Sequence, residues 1–327
     1  MSINEKYFNS AMEKLEQRRS TNKIISEQRR NEIYEKIPEY RELSLHLAET
    51  GGKLVSLIMK GGDTAEGVSR LEKDNLDTQR CMIELLTKAG YPEDYLKPIY
   101  TCPVCKDKGT VNGKWCGCFR KLMLEEAARE LNENSPLELS SFESFRLDYY
   151  SDLINPQMHI SEREMMQRNF DTCRRYAEEF TLKSDGLLMT GATGLGKTHL
   201  SLAIAAKVLE KGFSVIYGSS PELMRLLEQE YYGKSDKDTM SALVGCDLLV
   251  LDDLGAEMDK PLYQSLLYEI INARICRGLP MIVSTNYSIV ELQRRYQDKI
   301  FSRLAVLRQL AFVGSDNRRR AKTQRRQ

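Results

Sequence analysis

The sequence predicts an α/β fold: a parallel sheet covered by helices on both faces, preceded by a helical N-terminal region that carries a cysteine knuckle. Three observations predict it. From Gly186 onward, short apolar runs alternate with helical patterns, in the order LLM, SLAIAAKVLE, SVIYG, PELMRLLEQEYY, LLVLDD, YQSLLYEIINARI, MIVSTN and VELQRRY. Parallel strands need a crossover, usually a helix, so this alternation reads as βαβ units. The first 97 or so residues are highly charged with apolar residues at helical spacing, and four of the eight cysteines crowd into CPVCKDKGTVNGKWCGC.

With 327 residues and 41% hydrophobic content, the chain can bury a sizeable core. Lys plus Arg (48) nearly cancels Asp plus Glu (47), so total charge favours no class of partner. No run approaches the roughly 18 to 20 apolar residues of a membrane span, and MSINEKYFNS lacks the apolar centre of a signal peptide. The expectation is a cytoplasmic protein with no membrane partner. In that compartment, clustered cysteines suggest free thiols or a metal site.

Taken in order, Met12, Leu15, Ile33, Tyr34, Ile37, Leu43, Leu47 and Leu54 recur at amphipathic helical spacing. Pro38 should end or kink one helix, and Gly51-Gly52 and Gly61-Gly62 should separate others. Such a region reads either as a solvated bundle or as a docking module. Within the knuckle, Cys102-x₂-Cys105 and Cys116-x-Cys118 are separated by ten residues containing Gly109 and Gly113. Thiolates so spaced can surround one tetrahedral Zn²⁺, with free or redox-active thiols as the alternative. A helix over Phe119 to Leu131, a linker over Asn132 to Pro136, the aromatic SFESFRLDYY and a helix over Ile160 to Phe180 complete the approach to the sheet. Cys81, Cys173, Cys246 and Cys276 read as ordinary packed thiols. The domains expected are 1–97 (helical, partner-binding), 98–135 (knuckle and linker helix), 136–318 (ATPase) and 319–327 (basic tail).

Gly191-Ala192-Thr193-Gly194-Leu195-Gly196-Lys197-Thr198 fits GxxxxGK[ST] between a strand and a helix. Its glycines allow consecutive N–H groups to face phosphate oxygens, and the helix N-terminus adds positive potential. Lys197 offers a cation to the β- and γ-phosphates of ATP, and Thr198 a hydroxyl to Mg²⁺. His199, next on the helix, reads as a packing or hydrogen-bonding member of the nucleotide loop. LLVLDD ends a buried strand in two carboxylates, placing Asp252 to hold Mg²⁺ and Asp253 to orient or deprotonate water. Asn286, at the end of MIVSTN, could position that water.

In this order, GATGLGKTHL, DLLVLDDLG, VSTNYSIVEL and YQDKIFSRL resemble the AAA+ ATPases of the DnaC, DnaI and IstB group of replicative helicase loaders. The similarity is best over Gly186 to Arg318 and reaches upstream into SFESFRLDYYSD. It implies a P-loop AAA+ core without a helical lid. It also implies that Arg303, in KIFSRL, acts across a subunit boundary on the neighbour's nucleotide, and that Arg318, in GSDNR, senses nucleotide within the subunit. Asp253 stands where many AAA+ proteins have glutamate, which fits slow hydrolysis. The group's zinc site resembles the knuckle in position, and its DNA-contacting helix falls at PELMRLLEQEYY, where Tyr231 and Tyr232 could stack on bases but read more readily as core. The RRRAKTQRR tail could neutralise phosphates. The resemblance implies an ATPase that loads a hexameric DnaB-type helicase onto single-stranded DNA and self-associates through AAA+ interfaces. Three other readings stand beside it: an IstB-like transposition helper acting on DNA with a transposase, a small-molecule kinase, and a non-catalytic nucleic-acid-binding module.

Overall fold

The computed structural model describes residues 5–59, 64–133, 140–154, 159–235 and 237–314. Two compact units emerge, one formed by residues 12–119 and the other by 1–11 with 120–327.

In the first unit, helix α1 (Glu5–Lys36, entering at residue 12) is followed by α2 (Pro38–Met59) and α3 (Thr64–Lys88). Pro38 opens α2, as its fixed φ and missing N–H allow at a first helical turn. The expected break at Gly51-Gly52 does not occur, since α2 runs on to Met59. Interior glycines cost a helix only about 1 kcal/mol each, which the flanking turns can carry. Gly61-Gly62 lies outside the described residues. Ile33, Tyr40, Met82 and Leu86 form a small buried core. Beside it, the Glu32 carboxylate accepts from Tyr91 Oη (2.8 Å), Tyr95 Oη (2.8 Å) and Lys36 Nζ (2.8 Å). The knuckle contains a two-stranded antiparallel hairpin, β1 (Thr110–Val111) and β2 (Lys114–Trp115). Asn112 and Gly113, both at positive φ, make the two-residue turn between them.

The second unit is built on a five-stranded, all-parallel sheet of order β4-β5-β6-β3-β7. The strands are β3 (Leu187–Thr190), β4 (Val215–Ser219), β5 (Leu248–Leu254), β6 (Met281–Thr285) and β7 (Arg308–Ala311). Their side chains alternate between two buried apolar clusters. Leu188, Leu249, Leu251 and Val283 face one, and Leu187, Met189, Leu248, Val250 and Ile282 face the other. That two-sided burial explains why the strands read as continuous apolar runs. Helices α5 (Glu162–Glu178) and α6 (Lys197–Glu210) cover the second cluster; α7 (Ser220–Tyr231), α8 (Thr239–Gly245), α9 (Pro261–Arg277) and α10 (Ile289–Leu304) cover the first. Caps mark the boundaries: Ser161 begins α5, a Ser288–Glu291 capping box begins α10, and Gly278 in the left-handed region ends α9.

Helix α4 (Gly117–Asn132) brings Ala127 and Ala128 into the first cluster, where Tyr7 from the start of α1 also packs. At its end, the Asn132 amide donates to the Val215 carbonyl (2.6 Å) and accepts from the Tyr217 N–H (3.0 Å), pairing the open edge of β4. Of the four thiols expected to be packed, Cys173 and Cys246 are buried, but Cys81 and Cys276 are exposed. These two fall on the solvent faces of α3 and α9, which periodicity alone did not resolve. No helix among the described residues is long and apolar enough to cross a membrane.

Candidate nucleotide site and cysteine knuckle

β3 delivers the chain into the glycine-rich loop at the carboxyl edge of the sheet, and α6 carries it away. Gly191, Gly194 and Gly196 all take positive φ (144°, 83° and 84°). Position 191 also lacks room, because a Cβ there would stand 2.3 Å from the Phe312 carbonyl oxygen. At 196 a Cβ would meet the Phe145 ring at 2.8 Å and the Tyr150 hydroxyl at 3.0 Å. The loop is therefore glycine-bearing for both conformational and steric reasons.

Lys197 turns back into this loop. Its ammonium donates to the carbonyls of Gly191 (2.6 Å) and Ala192 (2.9 Å) and to Asn286 Oδ1 (2.9 Å). Burial lowers its pKa, while Asp253 and Asp252 oppose that shift. These neutral acceptors hold the charge poised for an anion without cancelling it.

The Asp252 carboxylate, itself buried, lies two strands from β3, on β5 beyond β6. It accepts from Thr198 Oγ1 (2.9 Å), Tyr217 Oη (2.7 Å) and Ser284 Oγ. The strand register places these groups: Ser219 pairs with Asp252 on one side, while β6 pairs on the other. A register shift between Leu251 and Leu254 interrupts the β5–β6 ladder at the two aspartates, and Asp253 takes φ +53°. The bulge turns Asp253 away from the buried face its neighbour occupies, so that Asn286 Nδ2 donates to its Oδ1 (3.3 Å). Burial beside Asp252 raises the Tyr217 pKa, so the phenol stays a donor.

Lys197, Thr198, Asp253 and Asn286 line a pocket of about 410 Å³, closed on one side by Phe145, Tyr149 and Tyr150. Tyr150 Oη donates to the Leu195 carbonyl (2.9 Å), fastening that aromatic segment onto the loop. Gly194 and Thr193 also line the cavity, as does His199, whose Nε2 donates to the Ser141 carbonyl (2.8 Å) and whose ring meets Phe145 edge-on. His199 thus packs and hydrogen-bonds beside the loop.

Not every expected residue converges here. Arg303 Nε donates to Asn272 Oδ1 (2.8 Å) and Nη2 to Tyr268 Oη (3.0 Å), with the guanidinium 4.5 Å from the Tyr268 ring centroid. It is thus held on α9, away from this chain's own loop. Arg318 and the 319–327 tail lie outside the described residues. Tyr231 and Tyr232, expected as core, are 66% and 61% exposed and meet edge-to-face at the end of α7. Sequence reasoning passed over Tyr217 and the Phe145–Tyr150 wall. The only signal for Tyr217 was a hydroxyl one residue before the glycine near the end of SVIYG, a strand whose neighbour could not be read from the chain.

In the other unit, the sulfurs of Cys102, Cys105, Cys116 and Cys118 all lie within 4.8 Å of one another. The Cys102–Cys116 and Cys105–Cys118 separations are 3.9 and 3.4 Å. Ligand bonds of about 2.3 Å in a tetrahedron put sulfurs roughly 3.8 Å apart, so the cluster fits a four-thiolate metal site. The Gly109 N–H donates to Cys105 Sγ (3.4 Å), the kind of outer contact that orients a thiolate. N–H groups of Cys105 and Val104 help lower the Cys102 pKa to about 7, whereas burial raises that of Cys118. Asp107, also buried, accepts from the N–H groups of Thr101 and Cys102 (both 2.8 Å) and from Asn22 (3.0 Å) on α1.

Comparison with known proteins places the sheet-bearing segment. The family described as IstB-like ATP binding protein matches residues 159–314. The replicative helicase loader DnaC of Escherichia coli K12 is 25% identical over 145 residues, which are 44% of this chain and 59% of DnaC. DnaI, the replicative helicase loader of Bacillus subtilis 168, is 30% identical over 137 residues, 42% of this chain and 43% of DnaI. The chain thus matches about half the length of these relatives. A crystal structure of the DnaC helicase loader aligns with 53% of this chain and 98% of its own, at 24% identity and a TM-score of 0.44. The segment that carries the glycine-rich loop and paired aspartates thus matches the IstB-like ATP binding protein family and is similar to the loaders DnaC and DnaI.

Proposed function

We propose that this protein is an ATP-dependent loader of a DnaB-type replicative helicase onto single-stranded DNA. The observation that carries the reading is the meeting of Lys197, Thr198 and Asp252 at one sheet edge, in a segment similar to two helicase loaders. In this reading, N–H groups of the 191–198 loop and Lys197 receive the phosphates of ATP. The hydroxyl of Thr198 and the carboxylate of Asp252, already 2.9 Å apart, would hold Mg²⁺ between them. Bound Mg²⁺ would neutralise charge on the β- and γ-phosphates. Asp253 orients or deprotonates the attacking water, which Asn286 helps to position, and Arg303 is offered to a neighbouring subunit, giving slow hydrolysis that partner or DNA accelerates.

The four cysteines would hold Zn²⁺ in a closed structural site, and the knuckle with its helices would grip the helicase. ATP binding and hydrolysis then switch affinity for helicase and DNA, with self-association through the ATPase units. Tyr231 and Tyr232 are exposed, as stacking on bases requires.

Native mass measurement of the full chain mixed with its host's replicative helicase, with ATP and then ADP, tests this. A complex whose abundance depends on nucleotide is expected; no complex in any nucleotide state overturns the reading. The family match favours a second reading, a transposition helper of the IstB type. Transposase binding with duplex bending, and no helicase contact, would select it.

A further inference from the structure

Unit 12–119 carries an open groove of about 780 Å³, running along α1 beside the knuckle and residues 96–100. Its wall presents Arg19, Lys23 and Arg30 from α1 and Lys106 and Lys108 from the knuckle. All five are exposed. Two carboxylates face them, Glu27 and Asp107. Asp107 is already saturated by three donors from within the unit, and Glu27 lies 3.9 Å from Lys23. Among the described residues Arg19, Arg30 and Lys108 have no ion-pair partner, so the groove keeps an uncompensated positive charge.

The spacing of these cations is linear. Positions 19, 23, 26 and 30 recur at i, i+4, i+7 and i+11, one face of a helix, and Ser26 supplies a polar group between the basic ones. At 1.5 Å per residue the row from Arg19 to Arg30 is about 16 Å long. A nucleic-acid strand, with one phosphate per roughly 3.4 Å of axis when fully stacked, presents at most about five charges over that length. An aromatic ring sits at the same groove: Tyr100 is 43% exposed, with Lys106 Nζ 5.9 Å from its centroid. Basic side chains along a groove with an open aromatic face match the chemistry of an unpaired strand, whose phosphates need cations and whose bases need stacking partners. An acidic peptide would use the cations and leave Tyr100 idle.

We propose that this groove binds single-stranded nucleic acid, as a site separate from the nucleotide loop and independent of ATP. The inference does not rest on the loader reading, because every group in it lies within residues 12–119.

The test is photocrosslinking of a 12-nucleotide oligodeoxynucleotide carrying 5-bromodeoxyuridine to the full chain without nucleotide, repeated in Lys197→Ala. Crosslinked peptide containing Tyr100 is expected in both. In the triple variant Arg19→Gln/Arg30→Gln/Lys108→Gln, the Tyr100 crosslink should fall, and the slope of log K against log salt for that crosslink should shrink by roughly 2, from about 0.7 per phosphate contact. The Lys-bearing variant Arg19→Lys/Arg30→Lys should keep it. Thermal unfolding of both variants should match the parent, because the altered side chains are exposed. Absence of a Tyr100 crosslink, or a yield and slope unchanged in the triple variant, overturns the proposal. So does groove-dependent binding of a polyglutamate peptide with no groove-dependent oligonucleotide binding, which would assign the surface to a protein.

Discussion

The two units stay folded by different means. In the sheet-bearing unit, Leu187 to Met189, Leu248 to Leu251 and Met281 to Val283 are all buried, and both faces of every central strand meet apolar side chains. Among the described residues, 12–119 bury fewer apolar side chains, Ile33, Tyr40, Met82 and Leu86 in one cluster and Leu15 and Phe119 besides, and directional contacts add to their order. These are Glu32 with two tyrosines and a lysine, Asn22 with Asp107, and four thiols within reach of one ion. Apolar burial is diffuse and tolerant of small errors, whereas directional contacts fail one at a time and respond to solution conditions. One unit should therefore yield to changes of side-chain volume, the other to chelators and acid.

The sharpest way to separate them is metal removal. If the knuckle holds zinc, a chelator or Cys105→Ser should melt it, since structural zinc can supply on the order of 10 kcal/mol to a small site. Near-ultraviolet circular dichroism of Trp115, stacked on Phe119, should collapse while ATP affinity survives. The reverse perturbation is Leu188→Ala in the fully buried centre of β3, expected to cost about 2 to 5 kcal/mol. Denaturant unfolding should show that loss in the sheet-bearing unit with metal content unchanged. Lys197→Ala should weaken ATP binding by roughly a hundredfold or more, about 2.7 kcal/mol, through loss of a charge-assisted contact to phosphate. Calorimetry should register this with little change in thermal stability, because the lysine's acceptors are backbone and amide oxygens. A comparable loss of ATP affinity in Arg303→Ala would break the division of roles between those residues.

The smallest effect concerns pH. The Glu32 carboxyl is lowered from 4.5 to about 2, first by Lys36 and then by Tyr95 and Tyr91. A depressed carboxylate contributes its stability above the unfolded value and loses it as pH falls through the folded one. The helical unit should therefore weaken between pH 4.5 and 2, and Glu32→Gln should flatten that part of the stability profile. An identical acid profile in the variant would remove Glu32 from the account.

The contrast between units also explains what could be read in advance. The loop, the aspartate pair and the cysteine knuckle are local patterns in which neighbours in sequence make the chemistry. Tyr217 and Ser284 reach Asp252 from strands 35 and 32 residues away, so their role appears only when the register is known. The same holds for Glu257, which accepts from Ser220 (2.7 Å), the Gly255 N–H (2.9 Å) and Tyr296. Helical periodicity located α1 and α2 but misjudged Gly51-Gly52, Cys81, Cys276 and the α7 tyrosines. Whether a glycine interrupts a helix, and which face meets solvent, is settled by tertiary neighbours.

The left-handed backbone at Asp253 bears on how this strand end could be re-engineered. Short polar side chains tolerate that conformation best, since they bond locally where longer ones crowd the carbonyl that follows. Lengthening the acid by one methylene would thus alter the main chain before it moved the carboxylate. A glutamate grafted here would have to be accompanied by removal of the bulge, and asparagine, not glutamate, is the replacement that leaves the skeleton undisturbed.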